Sequence, residues 1–142
     1  MINYEQDFYG WTQEQAALLK AGRLSELDIE NLIEEVETMG RSEKRALESR
    51  LSVLLIHLLK WHYQPLRRGN SWHFTIVEQR LKFQKVLSQN PGLKSEIQSI
   101  LVDAYEYALL KAAHETGLRS DIFPSECPWT LEQLSDKSYF PD

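Results

Sequence analysis

Leu51-Ser52-Val53-Leu54-Leu55-Ile56-His57-Leu58-Leu59 is the longest apolar run in the chain, broken only by Ser52 and His57. Such a run is far short of the roughly 20 residues a membrane span needs. Wound as a helix, it places Leu51, Leu54 and Leu58 on one stripe, while Val53, Ile56 and Leu59 face away from it. A helix that is apolar on every side is a central one, surrounded by others. This stretch therefore predicts an all-α fold built around its own helix.

The stripe extends outward in one phase. Ile29, Ile33, Val36, Gly40, Leu47, Leu51, Leu54, Leu58 and His62 fall on one side of a helix from about Asp28 to Tyr63. Gly40 ordinarily marks a helix end, with Ser42 as the next cap. A turn would reset the phase, and the phase survives, so one long helix is predicted, at most kinked at Gly40. Before it, Thr12 and Gln15 form a possible capping box and Gly22 a stop, which predicts a short first helix over about 12–21. After it, Pro65 ends the helix and Arg67-Arg68-Gly69-Asn70 makes a loop. Ser71 caps a third helix running to about Ser88. Asn90 and Pro91 open a fourth that reaches Thr116, ended by Gly117. The tail holds Pro124, Pro128 and Pro141 and one short helix after Thr130, with Gln133 completing a capping box.

The predicted architecture is thus an up-and-down bundle of three main helices, a short N-terminal helix and a partly irregular C-terminal tail. With 142 residues, no repeat and no linker, the chain reads as a single domain over 1–142. A chain of this length buries enough surface to fold without disulfide or metal. Its lone cysteine, Cys127, fits a reducing, cytoplasmic setting. The N-terminus shows neither a basic region nor an apolar core of the kind a secretory signal carries.

The net charge of −5 is unevenly placed. Residues 1–40 carry nine acids and two bases, residues 41–90 three acids and ten bases, and residues 91–142 nine acids and four bases. Either the central helices pair electrostatically with their flanks, or a basic surface awaits an acidic partner.

Motifs for chemistry are missing. There is no Gly-rich phosphate loop and no G-x-S-x-G elbow. His114-Glu115 does not continue as H-E-x-x-H, and no histidine has a Glu three residues before it, as di-iron bundles require. No metal ligand set and no cofactor is implied. Two mixed clusters remain. On the third helix, Trp72, Ile76, Phe83, Val86 and Leu87 form one apolar face and Phe74, Val77 and Leu81 another. His73, Arg80 and Gln84 lie between them. On the second helix, Glu43, Arg50 and His57 recur every seven residues beside the stripe. An antiparallel hairpin registered by the large side chains predicts one polar seam, with Arg50 near Gln84 and Arg80 near His57. The seam is either structural, with Arg80 answered by a carboxylate such as Glu43 or Asp103, or a cleft for an anion or for acid-base work. The second cluster mixes bases with aromatics at the helix 2–3 turn: Lys60, Trp61, Arg67, Arg68 and Trp72. Such a mixture can hold phosphates and stack bases, although a pI near 5.4 argues against general nucleic-acid affinity.

Several stretches resemble a known family. They are Tyr4-Glu5-Gln6-Asp7-Phe8-Tyr9-Gly10-Trp11-Thr12, Glu34-Glu35-Val36-Glu37-Thr38-Met39-Gly40, Leu58-Leu59-Lys60-Trp61-His62-Tyr63-Gln64-Pro65, Ser71-Trp72, Glu78-Gln79-Arg80 and Phe123-Pro124-Ser125-Glu126-Cys127-Pro128. Together they resemble the bacterial family called domain of unknown function 29, in order over nearly the whole chain. The resemblance implies a helical bundle and a family common in photosynthetic bacteria. It implies no activity and supplies no catalytic residues. The expectation is a non-catalytic protein-interaction or regulatory module, with another protein or a second copy as partner and no membrane. The alternatives left open are an enzyme or anion-binding protein using the seam, and a nucleic-acid binder using the basic turn.

Overall fold

The computed structural model describes all 142 residues, Met1–Asp142. Five α-helices follow one another: α1 (Phe8–Lys20), α2 (Ile29–Tyr63), α3 (Asn70–Gln89), α4 (Ile97–Thr116) and α5 (Leu131–Ser135). Short 3-10 turns join them and there is no strand, so the fold is an all-α bundle. The chain clusters into two compact units, Met1–Arg41 and Ser42–Asp142. The boundary falls inside α2, which is why no linker composition marks it.

The first unit is held by polar contacts and one buried aromatic. α1 starts earlier than the Thr12–Gln15 pair suggested. Asp7 takes the cap by accepting from the Gly10 amide at 2.9 Å. Gly10 makes that cap possible, because a Cβ there would lie 2.2 Å from an Asp7 carboxylate oxygen. Trp11 is buried, and its indole N–H donates to Asp28 at 2.9 Å. Asp28 also accepts from the Asn31 side chain at 2.8 Å, and its own amide donates to Gln15 Oε1 at 2.8 Å. The Tyr4 ring packs edge-on against Phe8 and Trp11, and its hydroxyl donates to Glu35. That bond holds the Tyr4 hydroxyl protonated, with its pKa pushed up to about 12.

The second unit contains the hydrophobic core. Leu47, Leu51, Leu54, Leu55, Leu58 and Leu59 of α2 are fully buried, so the apolar run does form a central helix. Ile76 and Phe83 of α3 and Ile100, Leu101, Ala104, Ala108 and Ala112 of α4 close on it. The alanines let α4 approach closely, and Ser52 reaches the Ala104 carbonyl at 3.5 Å. The expected start of the fourth helix at Asn90–Pro91 is a separate 3-10 turn, Pro91–Glu96, so α4 starts only at Ile97; it ends at Gly117, whose φ of 73° only glycine adopts readily.

The tail is tied down by Phe123, Trp129 and Leu134, all buried, and by the Tyr105 hydroxyl donating to the Pro124 carbonyl at 2.6 Å. The predicted capping box at Thr130 and Gln133 is present. No helix is long and apolar enough to cross a membrane.

Gly40 lies inside continuous helix, with no left-handed turn there. The stripe along α2 has two fates, however. Leu47 onward is buried, whereas Ile29, Ile33 and Val36 are exposed.

Candidate functional site

The two clusters expected from sequence are rearranged by the C-terminal tail. Arg80 is buried at 1% exposure, yet no carboxylate pairs with it. Its Nε donates to the Leu134 carbonyl at 3.0 Å and its Nη2 to the Gln133 carbonyl at 3.3 Å. Gln84 Nε2 donates to the Ser135 carbonyl at 2.9 Å. These carbonyls end α5, where internal donors run out, and Gln133 alone also accepts locally, from the Asp136 amide at 3.3 Å. Arg80 and Gln84 therefore act as an external C-cap for α5. The expected partners Glu43 and Asp103 are not used. Glu43 is exposed and accepts from Asn90 instead, at 3.1 Å. Burial pulls the Arg80 guanidinium below its ordinary pKa, and the nearby Asp136 charge opposes this. It stays charged at any usable pH. Its Nη1 has no hydrogen-bond partner.

The end of the chain completes the latch. The Phe140 ring stacks on His73, with centroids 4.9 Å apart and planes 9° apart. It lies 5.0 Å from the Trp61 ring and under the Arg80 guanidinium at 5.4 Å. Arg68 donates to the Trp61 carbonyl at 2.7 Å and to the Pro141 carbonyl at 3.4 Å, with its guanidinium over the Trp61 ring at 5.1 Å. Lys60 pairs with Glu115 at 2.9 Å and lies 5.8 Å from the Trp72 ring centre. The basic and aromatic turn is thus largely spent inside the molecule. Of the five residues proposed for it, Arg67 alone is both exposed and without an ion pair. One residue does not make a phosphate-tracking groove.

His57 is not part of this arrangement. It lies toward α4, in an open groove of about 510 Å³ with Arg45, Tyr107, Lys111 and Glu115. Its Nδ1 is 2.9 Å from the Val53 carbonyl. Burial lowers the His57 pKa, with the backbone carbonyl and Lys60 as lesser influences, so the ring is neutral near pH 7. Burial alone would raise Glu115, but the hydrogen bond and charge of Lys60 outweigh it and hold Glu115 low. The hydrogen-bond partner of His57 is the Val53 carbonyl, and no hydroxyl or thiol is bonded to the ring for activation as a nucleophile. Arg50 makes no ion pair there, so the expected single seam divides into the tail latch and the His57 groove.

A second groove of about 790 Å³ runs along α4 beside Leu101, Tyr105, Cys127 and Trp129. The Cys127 thiol is partly buried, and burial raises its pKa, which favours the protonated thiol over the thiolate. No three His, Cys, Asp or Glu side chains gather where they could hold a metal ion.

The exposed surface carries a different feature. Seventeen large hydrophobic residues are exposed, and ten of them belong to the first 41 residues. Ile29, Ile33, Val36 and Met39 are 52%, 53%, 59% and 61% exposed, one after another along α2. This stretch continues the phase of the core stripe without being covered, because periodicity reports that a face is apolar and not what covers it. The outer face of α3 behaves likewise: Phe74 and Leu81 are 63% and 53% exposed.

Fold and surface together define an all-α bundle with an internally latched tail and an uncovered apolar stripe. The chain belongs to the family described as Domain of unknown function DUF29, whose model matches residues 3–140. No curated protein and no solved structure matches it.

Proposed function

We propose that this protein is a protein-interaction module whose contact surface is the apolar stripe at the start of α2. One observation carries the reading: Ile29, Ile33, Val36 and Met39 are each more than half exposed and follow one another on a single helix. Singly exposed apolar residues are normal, but a contiguous stripe rimmed by charge marks a binding surface. Glu30, Glu34 and Glu37 supply that rim. At about 25 cal/mol per Å², covering the stripe is worth several kcal/mol, which gives a partner good reason to stay. The lone cysteine supports placing this work in a reducing compartment such as the cytoplasm.

The test compares the wild-type chain with Ile33→Glu/Val36→Glu as bait in an extract of the native cell. Both positions are exposed, so the variant keeps its helical circular dichroism. A protein retained by the wild type and lost by the variant is the expected result. Identical retention by both would overturn the reading.

A further inference from the structure

The interaction surface described above leaves its partner open, and charge and spacing on this chain narrow it. The stripe Ile29, Ile33, Val36 belongs to a segment in which Glu30, Glu34, Glu35 and Glu37 crowd the same helix. Glu34 is answered by Arg41 at 3.2 Å and Glu35 accepts from Tyr4, but two such stripes face to face would still bring the unpaired Glu30 and Glu37 of both copies together, four carboxylates whose like-charge repulsion opposes the contact. The stripe therefore needs a surface that is apolar and flanked by bases.

The second unit exposes two apolar helix faces. On α4, Val102, Tyr107 and Leu110 are 66%, 52% and 70% exposed, and Asp103 and Glu106 stand among them without ion pairs. That face has the wrong sign. On α3, Phe74 and Leu81 are exposed with Val77 half-buried between them. Lys82 and Lys85 flank the Leu81 end. The one carboxylate on this face, Glu78, is already answered by Lys82 at 3.5 Å. Only the α3 face complements the stripe.

The spacing agrees. Along α2 the apolar positions are four and then three residues apart. Read backwards along α3, from Leu81 to Val77 to Phe74, they are again four and then three apart. Both rows run for about 10 Å at 1.5 Å per residue. An antiparallel pair thus sets Ile29 against Leu81, Ile33 against Val77 and Val36 against Phe74. Glu30 then lies toward Lys82 and Lys85. A parallel pair would mismatch the middle position.

We propose that the partner is a second copy of this chain, with the acidic stripe of one copy seated antiparallel on the outer face of α3 of the other. The inference rests on the stripe being an interaction surface. Each copy carries both halves of the contact, so the stripe of one copy can seat on the α3 face of another.

The experiment uses the full chain with Ile33→Glu and Leu81→Glu as separate variants, both at exposed positions and both checked for unchanged circular dichroism. Sedimentation equilibrium near 50 µM should give the wild type a mass well above the 16.6 kDa of one chain and each variant the mass of one chain. Mixing the two variants should then restore a dimer. The stripe of the Leu81→Glu copy and the α3 face of the Ile33→Glu copy are both intact, so one contact forms between them. A self-associating wild type whose two variants stay monomeric on mixing, or whose association Leu81→Glu leaves unchanged, overturns the stripe-on-α3 contact. A monomeric wild type overturns the second copy as partner. It leaves the interaction reading to stand or fall on the extract comparison.

Discussion

Arg80 Nε donates to the carbonyl of Leu134 at 3.0 Å, tying a buried charge in the middle of α3 to the end of α5. With Gln133 and Ser135 also held, the last orphan carbonyls of α5 are satisfied from outside their own helix. A guanidinium rarely enters a core without a carboxylate. Here several backbone dipoles and the Phe140 ring take that role.

Arg80→Ala should therefore release the tail. Hydrogen bonds from a charged donor contribute about 1.5–3 kcal/mol, and the loss should appear in denaturant melts. Arg80→Met keeps the volume but leaves the Leu134 carbonyl unpaired, so it should not restore stability. Amide hydrogen exchange over residues 131–141 should rise in both variants. Wild-type protection in Arg80→Met would show that the site needs bulk and not donors.

Leu54→Ala or Leu58→Ala should lower stability by about 2–5 kcal/mol, through lost burial and the cavity left behind. Both side chains have 0% exposure in the middle of the core. The measurement is a urea melt of each variant. A loss under about 1 kcal/mol would contradict the central position of α2.

These two sites mark what was legible in the sequence. Leu54 and Leu58 announce themselves through periodicity, because an apolar run on all sides of a helix has one physical solution. Helix ends at Tyr63, Thr116 and Thr130 were readable from proline, glycine and the capping box. Arg80 was legible as a buried charge, since it lies between two apolar faces. Its partner was not, because backbone carbonyls carry no sequence signature and the tail looked irregular. Phe140, close to the chain's end, gave the available hint as a large aromatic with no helix to belong to. His57 was misplaced because heptad spacing sets the face of α2 and not which helix covers it. The same limit hid the exposure of Ile29, Ile33 and Val36.

His57 should make stability pH-dependent. Its folded pKa lies below the ordinary value near 6.5, because burial disfavours the imidazolium. The unfolded state thus binds the proton more readily. Stability should fall as pH drops through about 6.5 and level off below the lowered folded value. His57→Gln should flatten this slope in melts recorded between pH 5 and 8. An unchanged slope would assign the proton to another group.

Salt should act on the exposed pairs and hardly on the latch. Arg23 with Glu26, Arg119 with Asp121 and Lys44 with Glu96 are solvent-exposed, and pairs of that kind contribute little and are screened. Arg80 and Gln84 are bonded to backbone carbonyls away from water. Exchange protection over residues 131–141 should therefore be similar at about 0.1 M and 1 M salt, between which the screening length falls from roughly 10 to 3 Å. A marked loss of protection would mean that the Asp136 charge holds the tail more than the carbonyls do.

Gly40→Ala should stabilise the protein. Gly40 sits inside continuous α2, its φ is not positive, and a Cβ built on it meets nothing within 4 Å. Alanine therefore loses nothing to strain or clash. It gains by narrowing the unfolded ensemble, and in a helix interior the difference is about 1 kcal/mol. The gain should appear as a higher thermal midpoint in far-UV circular dichroism at unchanged helix content. The position is also diagnostic for the interaction surface, because Gly40 continues the spacing of Ile29, Ile33 and Val36 by one more step. If a partner helix packs close over that step, the added methyl should weaken association even as it stabilises the chain. If contact ends at Val36, stability rises and association holds. A large loss of stability on its own would mean that α2 is broken at Gly40 in solution, and the continuous stripe would have to be given up.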